Sequence, residues 1–262
     1  METLNVLTKY YSNYDEEGRL LSKHGQVEYL TTMRYIGKYL QPGIRILEVG
    51  AGTGRYSHAL AQMGYRVDAV ELVQHNIDIF TEKMKPDEDI TIRQGDARDL
   101  SCFKDETFDM TLVLGPMYHL FTVEDQLQAL SEAVRVTKRG GIIFAAYCGN
   151  EATMVQFCFG RGMIREEKYR NLIDPVTFKA SSDPSELFQL YRKEEIDELI
   201  SRFPVTRLHY VGTDMATNYM RETIDTMDEE LFDLYLKYHF SICERTDCVG
   251  TSHHSLDILR KE

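Results

Sequence analysis

Two acids and an alternating glycine run carry the chemistry this sequence offers. Gly50, Gly52 and Gly54, with Ala51 and Thr53 between them, follow the apolar residues Ile44, Ile46, Leu47 and Val49. Glycine has no Cβ and tolerates positive φ, so such a turn lets backbone come close to a ligand. A helix read from Thr53 to Met63 would point its free N–H groups at the same place. Glu71 closes a second apolar run, Arg66–Glu71, and Asp96 closes a third, Ile90–Asp96. A nucleotide-like ligand is expected at this turn. A dinucleotide fold wants a small residue where Arg55 stands, to pack helix on strand. Glu48, two residues before the first glycine, is poorly placed for a pyrophosphate and suits a ligand carrying an ammonium and a sulfonium.

These residues need a frame of alternating strands and helices. Strands are expected at 44–49, 66–71, 90–96, 108–114 and 142–147, with helices between them. Gly64 caps one helix, Pro86 stops the next, and 138–141 reads as a turn. This alternation over about 100 residues means βαβ units and a parallel sheet with right-handed crossovers. Ligands in such sheets sit beyond the carboxyl ends of the strands, where Gly50, Glu71, Asp96 and Leu114 all fall. Residues 1–40 look helical and carry Tyr10, Tyr11 and Tyr14. Residues 148–203 break the rhythm and read as an insertion with lid character, including a short strand over 186–191. A strand at 205–211, a long helix over 228–243 and a last strand at 255–259 follow.

Composition narrows the function classes. The chain has 262 residues and a net charge of −12, from 30 basic and 42 acidic residues. That balance disfavours nucleic acid, whose binding relies on neutralising phosphates, and anionic membrane surfaces. Five cysteines at scattered spacing fit a reducing compartment better than a disulfide framework. The N-terminal residues lack an apolar core of signal-peptide length, and no run reaches the length of a membrane span. A cytoplasmic protein is the expectation. Cys243, Cys248, His253 and His254 do not have the spacing of a structural zinc site, so no metal is expected.

The stretch Glu48–Gly54 resembles the glycine-rich loop of class I S-adenosylmethionine-dependent methyltransferases of the small-molecule type. Gly95-Asp96-Ala97, the run Phe108–Leu114 and the turn Lys138–Gly141 resemble further motifs of that family, with Arg139 where proline is common. The resemblance is clear over 40–150 and weak over 205–262. It implies an α/β, Rossmann-like, seven-stranded sheet, mostly parallel with an antiparallel last strand, and helices on both faces. The chain then reads as a single methyltransferase domain over 1–262. Residues 1–40 form a helical cap, and 148–203 cover the acceptor site.

The resemblance implies S-adenosyl-L-methionine as cofactor and a small-molecule methyl acceptor. In the family the acid ending the second strand bonds the ribose hydroxyls, which matches Glu71, and the third-strand Asp approaches the adenine amine, which matches Asp96. Glu48, Gly50, Ala51, Gly52, Gly54, Leu72, Ala97, Leu114 and Tyr11 complete the expected cofactor set. Tyr14, His24 and Tyr118 are expected at the acceptor. Methyl transfer is an in-line displacement that needs alignment and, for some acceptors, a base. His119, just past the fourth strand, is the candidate base. A non-catalytic adenosylmethionine-binding protein and a nicotinamide-dependent oxidoreductase are the competing readings.

Overall fold

The computed structural model describes residues 2–11, 22–182 and 184–262. Its strands are β1 (Arg45–Val49), β2 (Arg66–Glu71), β3 (Ile90–Gln94), β4 (Phe108–Val113), β5 (Thr137–Gly149), β6 (Leu190–Tyr191), β7 (Val205–Gly212) and β8 (His254–Lys261). They form one sheet in the order β3-β2-β1-β4-β5-β8-β7, with β6 pairing β5 off that path. Strands β1 to β5 pair in parallel. β8 is antiparallel to both of its neighbours, β5 and β7. The reversal therefore falls on the last strand, as expected, and β7 runs in the direction of β5. The two-residue β6 takes the described sheet to eight strands, one more than the seven the family resemblance implies, and it falls within the short strand expected over 186–191.

Alternation along each strand sorts side chains to two faces. Ile142, Phe144 and Ala146 of β5 join one buried cluster, and Ile143, Ala145 and Tyr147 join another. The first face is covered by α2 (Lys23–Gly37), α3 (Arg55–Gln62) and α4 (Gln74–Lys83), through Tyr35, Ile36, Leu60 and Phe80. The second is covered by α5 (Val123–Val136) through Leu130 and Ala133, and by a helix over Lys193–Ile200 through Ile196 and Leu199. α1 (Glu2–Tyr11) lies over the end of β2, where Leu7 packs with Val73 and Leu187. Side-chain caps set several helix starts: Ser22 Oγ accepts from the Gly25 N–H at 3.2 Å, and Thr122 Oγ1 from the Asp125 N–H at 3.1 Å.

Two local expectations are corrected. Residues 138–141 are not a free turn. β5 starts at Thr137, and Gly140, at φ +75, lies where the pairing with β4 shifts register between Phe108 and Met110. Five residue steps from Thr137 to Ile142 run against two from Phe108 to Met110, so three extra residues bulge out of the pairing, and Gly140 supplies the positive φ that other side chains avoid. The strand expected over 186–191 shrinks to Leu190–Tyr191, since a 3-10 turn occupies Pro184–Glu186.

Between β5 and β6 the chain forms α6 (Asn150–Thr153), a π-helical turn over Met154–Phe159, and α7 (Glu167–Arg170). The helix over Lys193–Ile200 is α8. After β7 come α9 (Arg221–Asp225) and α10 (Glu229–Ile242). Among the described residues no helix is long and apolar enough to cross a membrane.

Candidate active site

A cavity of about 880 Å³ opens at the carboxyl ends of β1, β2, β4 and β5. Most of the expected site residues line it: Glu48, Gly50, Ala51, Gly52, Glu71, Leu72, Asp96, Ala97, Leu114, Tyr11, His24, Tyr118 and His119 all border the space. Gly54 does not. A Cβ there would stand 2.5 Å from the Phe80 ring and 2.8 Å from His58, so its bare backbone lets α3 pack on α4 and takes no part in lining the cavity. Tyr14 lies outside the described residues.

The glycine turn has the form a ligand cradle requires. Gly50 has φ +72, and a Cβ on it would meet Pro116 Cδ at 2.6 Å, so the loop after β4 presses directly on the loop after β1. Gly52 has φ +54, and a Cβ there would meet nothing within 4 Å. It would stand in the cavity itself.

Glu71 organises that turn. Its Oε2 accepts from the Gly52 N–H at 2.8 Å, and its Oε1 from the Val73 N–H at 2.9 Å and Asn76 Nδ2 at 3.2 Å. Each carboxylate oxygen has two acceptor positions. The Leu72 N–H also bonds this carboxylate, so four protein donors face its four acceptor positions and a ligand hydroxyl would share an oxygen with one of them. Burial raises the Glu71 pKa above the usual range, against the pull of the Val73 and Gly52 N–H groups.

Asp96 is similarly engaged. Oδ1 accepts from the Arg98 backbone N–H at 2.9 Å and from Arg98 Nε at 3.0 Å, and Oδ2 from Arg98 Nη2 at 2.6 Å. Burial would raise its pKa, but the Arg98 contacts outweigh it and hold the carboxyl low. One Oδ2 position remains to accept from an amine.

Glu48 differs from its expectation. It is 2% exposed and accepts a hydrogen bond from the Ser57 hydroxyl. Burial pushes its pKa up to about 8, with Ser57 only partly offsetting this. At neutral pH it is mostly a neutral acid, and it forms an ion pair with an ammonium only if that charge draws off its proton. The folded pKa lies above the unfolded value of about 4.5. Stability from this group is therefore present below about pH 4.5 and lost as pH rises through 8. Glu48→Gln should gain on the wild type across that window, by up to about 1.4 kcal/mol per pH unit. Urea unfolding of both proteins at the two ends of the window measures it, and a constant gap would show Glu48 ionised in the fold.

His119 is no free base. Its Nδ1 donates to the Leu187 carbonyl at 2.8 Å, so Nε2 accepts from the Tyr11 hydroxyl at 2.9 Å. Burial lowers its pKa to about 4. A neutral imidazole with both nitrogens engaged instead ties α1 to the segment before β6. His24 is also an anchor: its Nδ1 pairs with Asp225 Oδ2 at 2.7 Å, joining the start of α2 to α9.

The cavity continues past Tyr118 to residues the sequence did not single out as a site. Phe157, Cys148, Asp214, Asn218, His253 and His254 line this end. His253 and His254 drew notice only as unlikely zinc ligands. Asp214 had no signal, because it lies some forty positions away and only the β7–β8 pairing brings it to the histidines.

A family model described as a methyltransferase domain matches residues 47–145. Residues 47–145 are thus similar to a methyltransferase domain. The chain is 33% identical over 128 residues to a cypemycin N-terminal methyltransferase of a Streptomyces species, covering 45% of this chain and 51% of that one. It is 32% identical over 141 residues to a ubiquinone biosynthesis O-methyltransferase of Methylocella silvestris, covering 53% and 52%. The chain thus spans about half the length of the curated relatives it matches. In fold it is similar to a Methanosarcina mazei SAM-dependent methyltransferase, with TM-score 0.57, 16% identity, and 87% and 96% of the two chains covered. It is likewise similar to a Thermotoga maritima SAM-dependent methyltransferase titled a possible histamine N-methyltransferase, with TM-score 0.59, 17% identity, and 99% and 100% covered. The methyltransferase domain so matched runs from β1 into β5 and holds the glycine turn, Glu71 and Asp96.

Proposed function

We propose that this chain is an S-adenosylmethionine-dependent methyltransferase acting on a small-molecule acceptor. The observation that carries the reading is the cradle at Gly52, open to the cavity and flanked by the carboxylates of Glu71 and Asp96, which border the same space. Glu71 would take a ribose hydroxyl and Asp96 the adenine amine, with Leu72 and Ala97 beside them. Gly50, Ala51 and Gly52 would receive the amino-acid end. Bound adenosylmethionine supplies a methyl group on a positively charged sulfur. The protein's part is alignment and exclusion of water. Residues 1–40 and 148–203 serve as covers: Leu7, Tyr10 and Tyr11 border the cavity from one, and Phe157, Tyr169 and Ile173 from the other.

The dinucleotide reading has little to stand on. Arg55, where a small residue would be needed, extends over the Tyr29 ring at 4.4 Å from its centroid. Adenosylmethionine, and not NAD, should raise the melting temperature of the purified protein. By mass action a ligand at about 100 times its Kd stabilises by about 2.7 kcal/mol. A shift with NAD alone would overturn the proposal.

A further inference from the structure

Asp214 and His254 form a buried carboxylate–imidazole pair at the far end of the cavity. Asp214 is 1% exposed and sits just past β7, while His254 opens β8. Asp214 Oδ2 accepts from His254 Nδ1 at 2.7 Å and from Asn218 Nδ2. Oδ1 accepts from Ser252 Oγ at 2.7 Å and from the backbone N–H groups of His253 at 2.8 Å and His254 at 3.1 Å. Five donors hold this carboxylate, so it can neither turn nor offer a spare lone pair. The ligand atoms of Asp214, His253 and His254 lie within 4.8 Å of one another, close enough to suggest an ion. A carboxylate already saturated with donors is better suited to orient the imidazole than to ligate.

Orientation of the imidazole leaves one atom for chemistry. Nδ1 is committed to Asp214 and the Cys148 side chain also hydrogen-bonds the ring, so Nε2 is the nitrogen turned away from Asp214 that can exchange a proton at the cavity. Beside it, His253 has both ring nitrogens buried without a hydrogen-bond partner among the described residues, and its ring lies 5.0 Å from that of His254. Unpaired buried polar atoms are costly, and a polar group of a bound molecule would satisfy them. Position agrees. Gly50 presses on Pro116, the same turn carries Tyr118, and the Tyr118 ring lies 5.8 Å from that of His254.

Resting on the methyltransferase reading, we infer that His254 is the catalytic base for the acceptor, with Asp214 as its positioning residue and His253 as a polar contact to the acceptor. The acceptors this suits carry a heteroatom that must shed a proton, a phenolic hydroxyl or a protonated amine. The acceptor's X–H proton passes to His254 Nε2. The freed electron pair on X forms the bond to the methyl carbon as the carbon–sulfur bond breaks, and that bond's electrons return to sulfur. The imidazolium then releases its proton to solvent.

The groups facing His254 set its pH dependence. Glu28 of α2 approaches Nδ1 at 3.4 Å, Asp214 binds it, the Cys148 side chain of β5 hydrogen-bonds the ring, and His253 and Tyr118 flank it. Burial would lower the His254 pKa, but the Glu28 and Asp214 carboxylates outweigh it and raise it well above the usual value. Both carboxylates favour the protonated imidazole, so turnover should climb with pH as that proton is lost.

The test uses the full chain with catechol and histamine as probe acceptors. Calorimetric titration with adenosylmethionine comes first: a wild type that does not bind it sinks the methyltransferase reading itself. His254→Asn should bind adenosylmethionine with unchanged affinity and turn over either probe slower by a factor on the order of 10²–10⁴. Asp214→Asn should move the rise in rate to lower pH and lower its plateau. Catechol turnover without histamine turnover would assign a hydroxyl acceptor, and the reverse an amine. Histidine-ring ¹⁵N spectra of the wild type, taken between about pH 5 and 9, give a readout without turnover. His254 should titrate at Nε2, with Nδ1 protonated throughout, and Asp214→Asn should lower its pKa. Full turnover in His254→Asn, a His254 ring that does not titrate, or activity lost to a chelator and restored by a divalent metal would each overturn the assignment.

Discussion

Gly52→Val should abolish adenosylmethionine binding while leaving the protein folded. Gly52 has φ +54, and a Cβ at this position meets no protein atom within 4 Å. The new side chain therefore displaces ligand, not protein. A β-branched residue also resists positive φ, at about 1–2 kcal/mol. Relaxing that strain would rotate the Gly52 N–H away from Glu71 Oε2, which it reaches at 2.8 Å. Steric loss and lost preorganisation act in the same direction, so affinity should fall by at least about 100-fold, near 2.7 kcal/mol. Calorimetric titration reads the affinity, and circular dichroism with a melting curve reports the fold. Affinity retained in a folded variant would mean the cofactor is not seated on this turn.

Glu71→Ala should weaken adenosylmethionine binding by about 1–3 kcal/mol, and should also destabilise the free protein. A ligand hydroxyl would join the donors on this carboxylate. Gly52 N–H, Val73 N–H, Leu72 N–H and Asn76 Nδ2 already bond it, and the alanine leaves them without their acceptor. Both the turn after β1 and the start of α4 lose their shared anchor. Glu71→Gln is not a mild control, because its amide NH₂ would face donors that both carboxylate oxygens now accept. Binding and melting temperature should therefore fall together in both variants. A lower melting temperature with unchanged affinity would show that the ribose is held elsewhere.

Much of the sheet could be read from residue order. Runs of β-branched and aliphatic residues ended by Gly50, Glu71 and Gly115 locate β1, β2 and β4 to within a residue or two, because fully buried parallel strands must be apolar throughout. The glycine turn was equally plain, since positive φ leaves few choices besides glycine. The bulge at Gly140 was misread as a turn because Gly-Gly looks the same in both settings. Glu48 was read as a charged partner because nothing local revealed that Ser57 and the first-face core would bury it. His119 was read as a base because its pairing with Tyr11 and Leu187 joins segments 108 and 68 positions away.

The sequence by itself determined the parallel sheet, the glycine cradle and the two carboxylates at neighbouring strand ends. Those features are set by side-chain period and by local backbone freedom, which act within a few residues. Tertiary structure alone decided the surroundings of the two histidines. His119 is tied to Tyr11 and the Leu187 carbonyl, whereas His254 pairs with Asp214, with Ser252 and Asn218 fixing that carboxylate. That outcome depends on pairing β8 between β5 and β7, since an antiparallel ladder aligns residues by turn and register and not by nearness along the chain.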